Sequence, residues 1–355
     1  MEWTASTAWV VASSVYIGVK TLVYTCYAAA LMACRQASTR RWLFSYTRRI
    51  APPKCLQDPA LGQHGYVTVK GLKFHYVEKG DRSKPLMLFV HGFPDFWYSW
   101  RHQTKEFSTD YWTVAIDLRG CGSSAKPSDV FDYSMILLVD DIKGIVTELG
   151  RKKFILVASG WGAFISWCFL EKYPEMVSKY IMMNGPSMKV FTQLSKSFSS
   201  DQSSRSWYTY LFQMPYLGEL YLSFDDFAWV RDELIRHRSP YVTDEDIEAY
   251  KYNLSQPGAL TPLLHYYKAA YRTMVRQGLF PEYVSATAAA SANGEPRPPG
   301  LFIFGAQDFA LDVKCVVMLE FSVENLKTLV VKEAGHFVHQ DEPVVVNQAM
   351  RSFLQ

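Results

Sequence analysis

Two polar residues stand just past apolar runs near the end of the chain. In LFIFGAQD, Asp308 follows a strand-like run, and in TLVVKEAGHF, His336 follows the next one. A carboxylate that orients a histidine, and a histidine that takes a proton from water or a hydroxyl, form a general base. Either residue alone reads as structural. A third stretch upstream gives the pair its weight. FILVASGWGAFISW (Phe154–Trp167) reads as an apolar strand, a turn of small residues and an apolar helix. That is the setting of a nucleophile elbow, small-x-nucleophile-x-Gly. Its five positions here are Ala158, Ser159, Gly160, Trp161 and Gly162, so the nucleophile's seat holds glycine.

Glycine adopts the positive φ of an elbow without a Cβ clash. The turn at Gly160 is therefore expected to persist while the nucleophile is missing. Ser159 is a poor substitute, because side chains alternate along a strand and its hydroxyl should point away from His336. A shifted register would put the bulky Val157 and Trp161 where an elbow needs small residues. Upstream, His91–Pro94 (HGFP) ends another strand, where backbone N–H groups can form half of an oxyanion hole; the alternative is a plain strand–helix turn.

The elements that must position these residues alternate. YVTVKGLKFHYVEKG (Tyr66–Gly80) reads as a hairpin, PLMLFVHGFP as a buried strand, and Trp112–Ile116 as another strand before a glycine-rich loop. SMILLVDDIKGIVTELG is an amphipathic helix closed by Gly150, and a further strand lies near Val177–Asn184. Strands alternating with helices predict a mostly parallel sheet with helices on both faces. The alternation breaks at residues 188–276, a helical stretch rich in Tyr and Trp that reads as an inserted lid. Residues 277–299 read as a low-complexity connector. The core is then 61–187 and 300–355.

The body, Pro52–Gln355, resembles the epoxide hydrolase branch of the α/β-hydrolases, most of all its membrane-anchored animal members. The resemblance is carried by KPLMLFVHGFPDFWYSWRHQ, DLRGCGSS, YPEMV, YLFQMP, SQPGAL and EAGHFVHQDEP. It implies the α/β-hydrolase fold and an order of nucleophile, acid and histidine along the chain. Members of that family open epoxides with an elbow aspartate, and activated water hydrolyses the resulting ester. The resemblance assigns Asp308 and His336 as acid and base, and Tyr208 (SWYTYLFQ) and Tyr266 (PLLHYYK) as the lid tyrosines on the epoxide oxygen. It assigns Phe93 and Trp161 as the backbone donors of the oxyanion hole. Aromatic packing of the lid is the alternative for each tyrosine. The departure is at the elbow, where the family's His-Asp-Trp-Gly is Ser159-Gly160-Trp161-Gly162.

The chain has 355 residues, 49% of them hydrophobic, and a net charge of +3, too mild to imply nucleic acid. Aromatic residues make up 15%, which suits an aromatic-lined pocket or membrane contact. The six cysteines lack metal-like spacing and read as reduced thiols, and nothing calls for a cofactor. Residues 9–34 carry one charge, Lys20, and are long enough to span a bilayer, with Lys20 snorkelling to an interface. A signal peptide and an interfacial helix are the rivals. Arg35, Arg40, Arg41, Arg48, Arg49 and Lys54 follow within a basic linker, residues 35–60. By the positive-inside rule they place the body in the cytoplasm, as a single-pass protein of the endoplasmic reticulum. The partners expected are the membrane and a small lipophilic ligand such as a fatty acid epoxide. Catalysis is expected to be strongly reduced, the alternatives being a binder without turnover, a serine esterase, or direct water attack assisted by His336.

Overall fold

The computed structural model describes residues 5–195, 201–234, 239–277 and 297–355. The connector expected at 277–299 lies almost wholly outside them. The chain begins with α1 (Ala5–Ala37), whose segment Val10–Ala37 is long and apolar enough to cross a membrane.

Eight strands form one sheet in the order β1-β2-β4-β3-β5-β6-β7-β8. β1 (Gln63–Val69) and β2 (Leu72–Lys79) form the expected hairpin, turning at Lys70-Gly71, and β2 pairs antiparallel with β4 (Trp112–Ile116). From β4 onward the pairing is parallel, through β3 (Leu86–Val90), β5 (Phe154–Ser159), β6 (Val177–Met183), β7 (Gly300–Gly305) and β8 (Leu326–Val331). Every residue of β3, β4, β5 and β7 is buried, as strands covered on both faces require. The crossovers are α2 (Arg101–Phe107), α3 (Met135–Glu148) and α4 (Gly160–Lys172). The chain order reverses between β3 and β5, and a parallel sheet opens its ligand crevice at such a point, beyond the strands' carboxyl ends.

Between β6 and β7 lie the lid helices: α5 (Met188–Ser195), α6 (Asp201–Arg205), α7 (Trp207–Leu211), α8 (Leu217–Leu234), α9 (Asp244–Ser255) and α10 (Leu260–Gln277). α8 is broken at Phe224–Phe227, where Asp225, Asp226 and Phe227 have positive φ. α11 (Lys314–Ser322), α12 (Val338–Asp341) and α13 (Pro343–Leu354) complete the body.

One sequence expectation about the N-terminal region changes here, and the linker gains partners. Lys20 does not snorkel. It is 4% exposed, its Nζ donates to Ser203 Oγ at 3.0 Å, and it sits 5.5–5.7 Å from the rings of Tyr16, Tyr24 and Tyr210. Three of the linker's basic residues also find partners on the lid. Arg35 and Arg41 pair with Asp225, and Arg49 bonds Asp226 and Glu248. The break in α8 is the cause, since it presents two adjacent carboxylates to the passing chain. The linker is a strap across the lid.

Candidate active site

The elbow is built where β5 gives way to α4. Gly160 has φ +52°, the conformation that an elbow imposes, and a Cβ built there would lie 3.4 Å from His336 Nε2 and 3.5 Å from Gly92 Cα. That is ordinary contact, so there is room for a side chain facing the histidine, at the cost of the strain that φ +52° puts on any residue with a Cβ. Gly162 serves close approach: a Cβ there would fall 2.3 Å from the Val90 carbonyl oxygen. Its absence lets the first turn of α4 press against the end of β3.

Asp308 and His336 meet as their positions predicted. Asp308 Oδ2 accepts from His336 Nδ1 at 2.8 Å and from Asn184 Nδ2 at 2.7 Å. Its Oδ1 accepts the backbone N–H groups of Ala310 at 2.6 Å and Leu311 at 3.0 Å. These bonds fix the carboxylate and leave Nε2 without a hydrogen-bond partner among the described residues, turned toward Gly160. Burial opposes a charge on His336, but the Asp308 carboxylate outweighs it and holds the imidazole pKa above its ordinary value. Asp341 Oδ2 accepts the Gly335 N–H at 2.8 Å and steadies the loop carrying the histidine.

Above this dyad is a cavity of about 440 Å³, within the ~300–1,000 Å³ of small-molecule sites. Its floor includes Gly160 and His336, and Phe93, Trp161, Tyr208, Trp229 and Phe309 are among its walls. The Phe93 ring packs at 5.1 Å on Tyr267 and at 5.6 Å on Phe212, tying the HGFP loop to the lid. Trp161 is the second residue of α4, whose first N–H groups have no carbonyl a turn earlier and can serve an oxyanion. Ser159 is 3% exposed, does not line the cavity, and its Oγ lacks a hydrogen-bond partner among the described residues. It is not placed to act as His336's nucleophile.

The two lid tyrosines expected from the sequence part company. Tyr208 lines the cavity, with its ring 6.3 Å from Phe309. Tyr266 does not: its hydroxyl donates to the Arg119 carbonyl at 2.5 Å, and its ring is packed 5.4 Å from Tyr133. The cavity takes its neighbour, Tyr267, whose ring stands 6.1 Å from Tyr208 and 5.2 Å from Trp161. Consecutive residues on a helix point about 100° apart, so one residue of register exchanges a cavity wall for the core. A signal for this existed in the sequence. Tyr267, Ala270 and Tyr271 all line the cavity at i, i+3 and i+4, one face of α10. Burial pushes the phenols of Tyr208 and Tyr267 well up, so both keep their protons and can donate. Sequence reasoning also missed Asn184, which holds Asp308, and the contribution of Ala12, Ser13 and Tyr16 of α1 to the cavity wall.

Comparison with known proteins agrees with this geometry. The α/β-hydrolase-fold family profile matches residues 85–343. Mouse epoxide hydrolase 3 is 36% identical over 97% of this chain and 93% of its own length. Human epoxide hydrolase 4 is 37% identical over 88% of this chain and 84% of its own. The crystal structure of an epoxide hydrolase from Bacillus megaterium with an inhibitor superposes with a TM-score of 0.70 at 32% identity, covering 82% of this chain and 99% of that one. With a histidine–aspartate dyad under a tyrosine-bearing lid on this sheet, the chain belongs to the epoxide hydrolase family of the α/β-hydrolases.

Proposed function

We propose that the protein takes up lipophilic epoxides, such as those of fatty acids, in a site whose nucleophile is gone, and that its epoxide turnover is therefore strongly reduced. One observation carries this reading. Gly160 faces His336 across a gap that a side chain would fill, while Asp308, His336, Tyr208 and Tyr267 stand around it. In a complete site a carboxylate at residue 160 would attack an epoxide carbon as the carbon–oxygen bond breaks, and a tyrosine would give the oxygen its proton. His336 would then take a proton from water, which attacks the ester carbonyl and frees the diol and the carboxylate. Without the carboxylate the first step has only water to attack, and losing a nucleophile costs at least ~100-fold.

The experiment restores the seat. Gly160→Asp with Ser159→His, given a labelled fatty acid epoxide, should form diol at least ~100-fold faster than wild type. Equal rates would mean that the wild type has another working mechanism. No activity in a folded double variant would mean that the site has become a binding site only. The seat of the nucleophile favours that second reading, a lipophilic-ligand binder without turnover, and retention of the labelled epoxide without diol in wild type is its signature. We place the body on the cytoplasmic face of the endoplasmic reticulum, with α1 as its membrane anchor; its six cysteines as free thiols suit that compartment.

A further inference from the structure

α1 has two unlike faces. The inner one is packed on the lid. Tyr24 stacks on Tyr210 at 5.7 Å, Tyr27 meets Trp207 at 5.5 Å, Ala28 and Met32 are buried, and Arg35 pairs with Asp225 at 2.6 Å. With Lys20 on Ser203, these contacts run from Tyr16 to Arg35, roughly 30 Å of helix at 1.5 Å per residue. That equals the ~30 Å of a bilayer's hydrocarbon core. A helix crossing the bilayer would forfeit all of them, or would carry the charged lid residues Asp225 and Asp226 into hydrocarbon, where such groups are excluded.

The outer face is aliphatic. Val11, Val15, Val19, Leu22 and Val23 are 43–64% exposed and recur at helical spacing as one stripe, and Leu31 is 45% exposed further along. Just beyond α1, Trp42 and Tyr46 are also exposed, with Arg40 and Arg48 exposed nearby. Aromatic residues of this kind settle at headgroup depth, and arginines meet anionic headgroups. The helix also belongs to the site. Ala12 is exposed and lines the cavity, next to Ser13 and Tyr16.

We propose that α1 lies along one leaflet rather than through the bilayer, with its aliphatic stripe among the acyl chains. The cavity mouth at Ala12 then opens on lipid and admits ligand from the leaflet itself. In-plane anchoring of a helix with one apolar face is physically ordinary. The placement does not depend on what the cavity does, whereas entry at Ala12 rests on the binding reading above.

The test uses the full chain in phosphatidylcholine–phosphatidylserine vesicles, with Cys26, Cys34 and Cys55 changed to serine and single nitroxides at Val11→Cys, Val15→Cys, Val19→Cys, Val23→Cys or Leu31→Cys. The other three cysteines are buried. Similar shallow depths at all five positions are expected. A depth that peaks near Val19 and Val23 and falls toward both ends overturns the proposal. Entry is tested with a labelled fatty acid epoxide delivered in the vesicles. Ala12→Trp should slow uptake roughly tenfold while Val15→Trp, on the outer face, should not, both with the wild-type thermal midpoint. Unchanged uptake by Ala12→Trp overturns the entry route. No uptake by any form, with shallow depths retained, overturns the binding reading and the entry route with it but leaves the placement standing.

Discussion

Replacing one tyrosine hydroxyl at a time separates the cavity's donors from the lid's packing. A dialkylurea presents a carbonyl oxygen where an epoxide would present its own, and Tyr208 and Tyr267 line the cavity that would hold it. A neutral hydrogen bond is worth about 0.5–1.5 kcal/mol net. Tyr208→Phe and Tyr267→Phe should each weaken urea binding by about 2- to 12-fold, and together by about 5- to 160-fold. Tyr266→Phe removes the bond to the Arg119 carbonyl, which is buried and outside the cavity. It should lower stability by about 1 kcal/mol and leave affinity within about twofold. Trp161 and Trp229 are in the cavity wall, so quenching of intrinsic fluorescence reads the titration directly. The reasoning is refuted if Tyr266→Phe weakens binding as much as Tyr267→Phe, or if the double variant at 208 and 267 binds as tightly as wild type.

Four further outcomes are expected. In the Gly160→Asp, Ser159→His variant, diol formation should fall as acid protonates His336, with a midpoint above the ordinary imidazole range. Asp308→Asn should move that limb to lower pH. The same ion pair stabilises the fold below the ordinary imidazole pKa, and this contribution is lost as pH rises through the raised one. The thermal midpoints of wild type and Asp308→Asn should therefore converge from mildly acid to alkaline solution. Asp117 is fully buried; burial opposes its charge, but His75 Nδ1 at 2.7 Å and the N–H groups of Trp97 and Ser123 at 2.9 Å hold its pKa down at about 2. Its contribution is present above the ordinary carboxylate pKa and lost as pH falls through about 2. Asp117→Asn should cost about 2–4 kcal/mol in urea unfolding at neutral pH, and a cost near zero would show the network to be dispensable. Asn253, in an N-x-S acceptor on α9, should show no glycosidase-sensitive mass shift from cells. A shift lost in Asn253→Gln would remove the body from the cytoplasm.

The sequence by itself determined the scaffold and most of the dyad. Strands such as LMLFV and FILVAS are apolar throughout because both of their faces are covered, and that continuous pattern names a parallel sheet without any knowledge of its partners. Asp308 and His336 were legible for the same reason: a polar residue at the end of a buried strand must emerge at the sheet's carboxyl edge. Gly160 was legible because an elbow's small-residue pattern persists with glycine at its centre. Tertiary structure alone decided matters of facing. Tyr266 and Tyr267 are the same residue type one position apart, and only the packing of α10 settles which hydroxyl meets the Arg119 carbonyl and which meets the cavity. The N-terminal helix was legible as long and apolar. That its inner face holds Lys20 against Ser203 and completes the cavity wall was not, because Ser203 lies 183 residues away and the lid must fold before such partners exist as a surface. The partners of the basic linker were hidden for a related reason. Charge can be counted along a chain, but whether an arginine faces headgroups or an aspartate is fixed by what the fold brings beside it, and here the break in α8 brings Asp225 and Asp226.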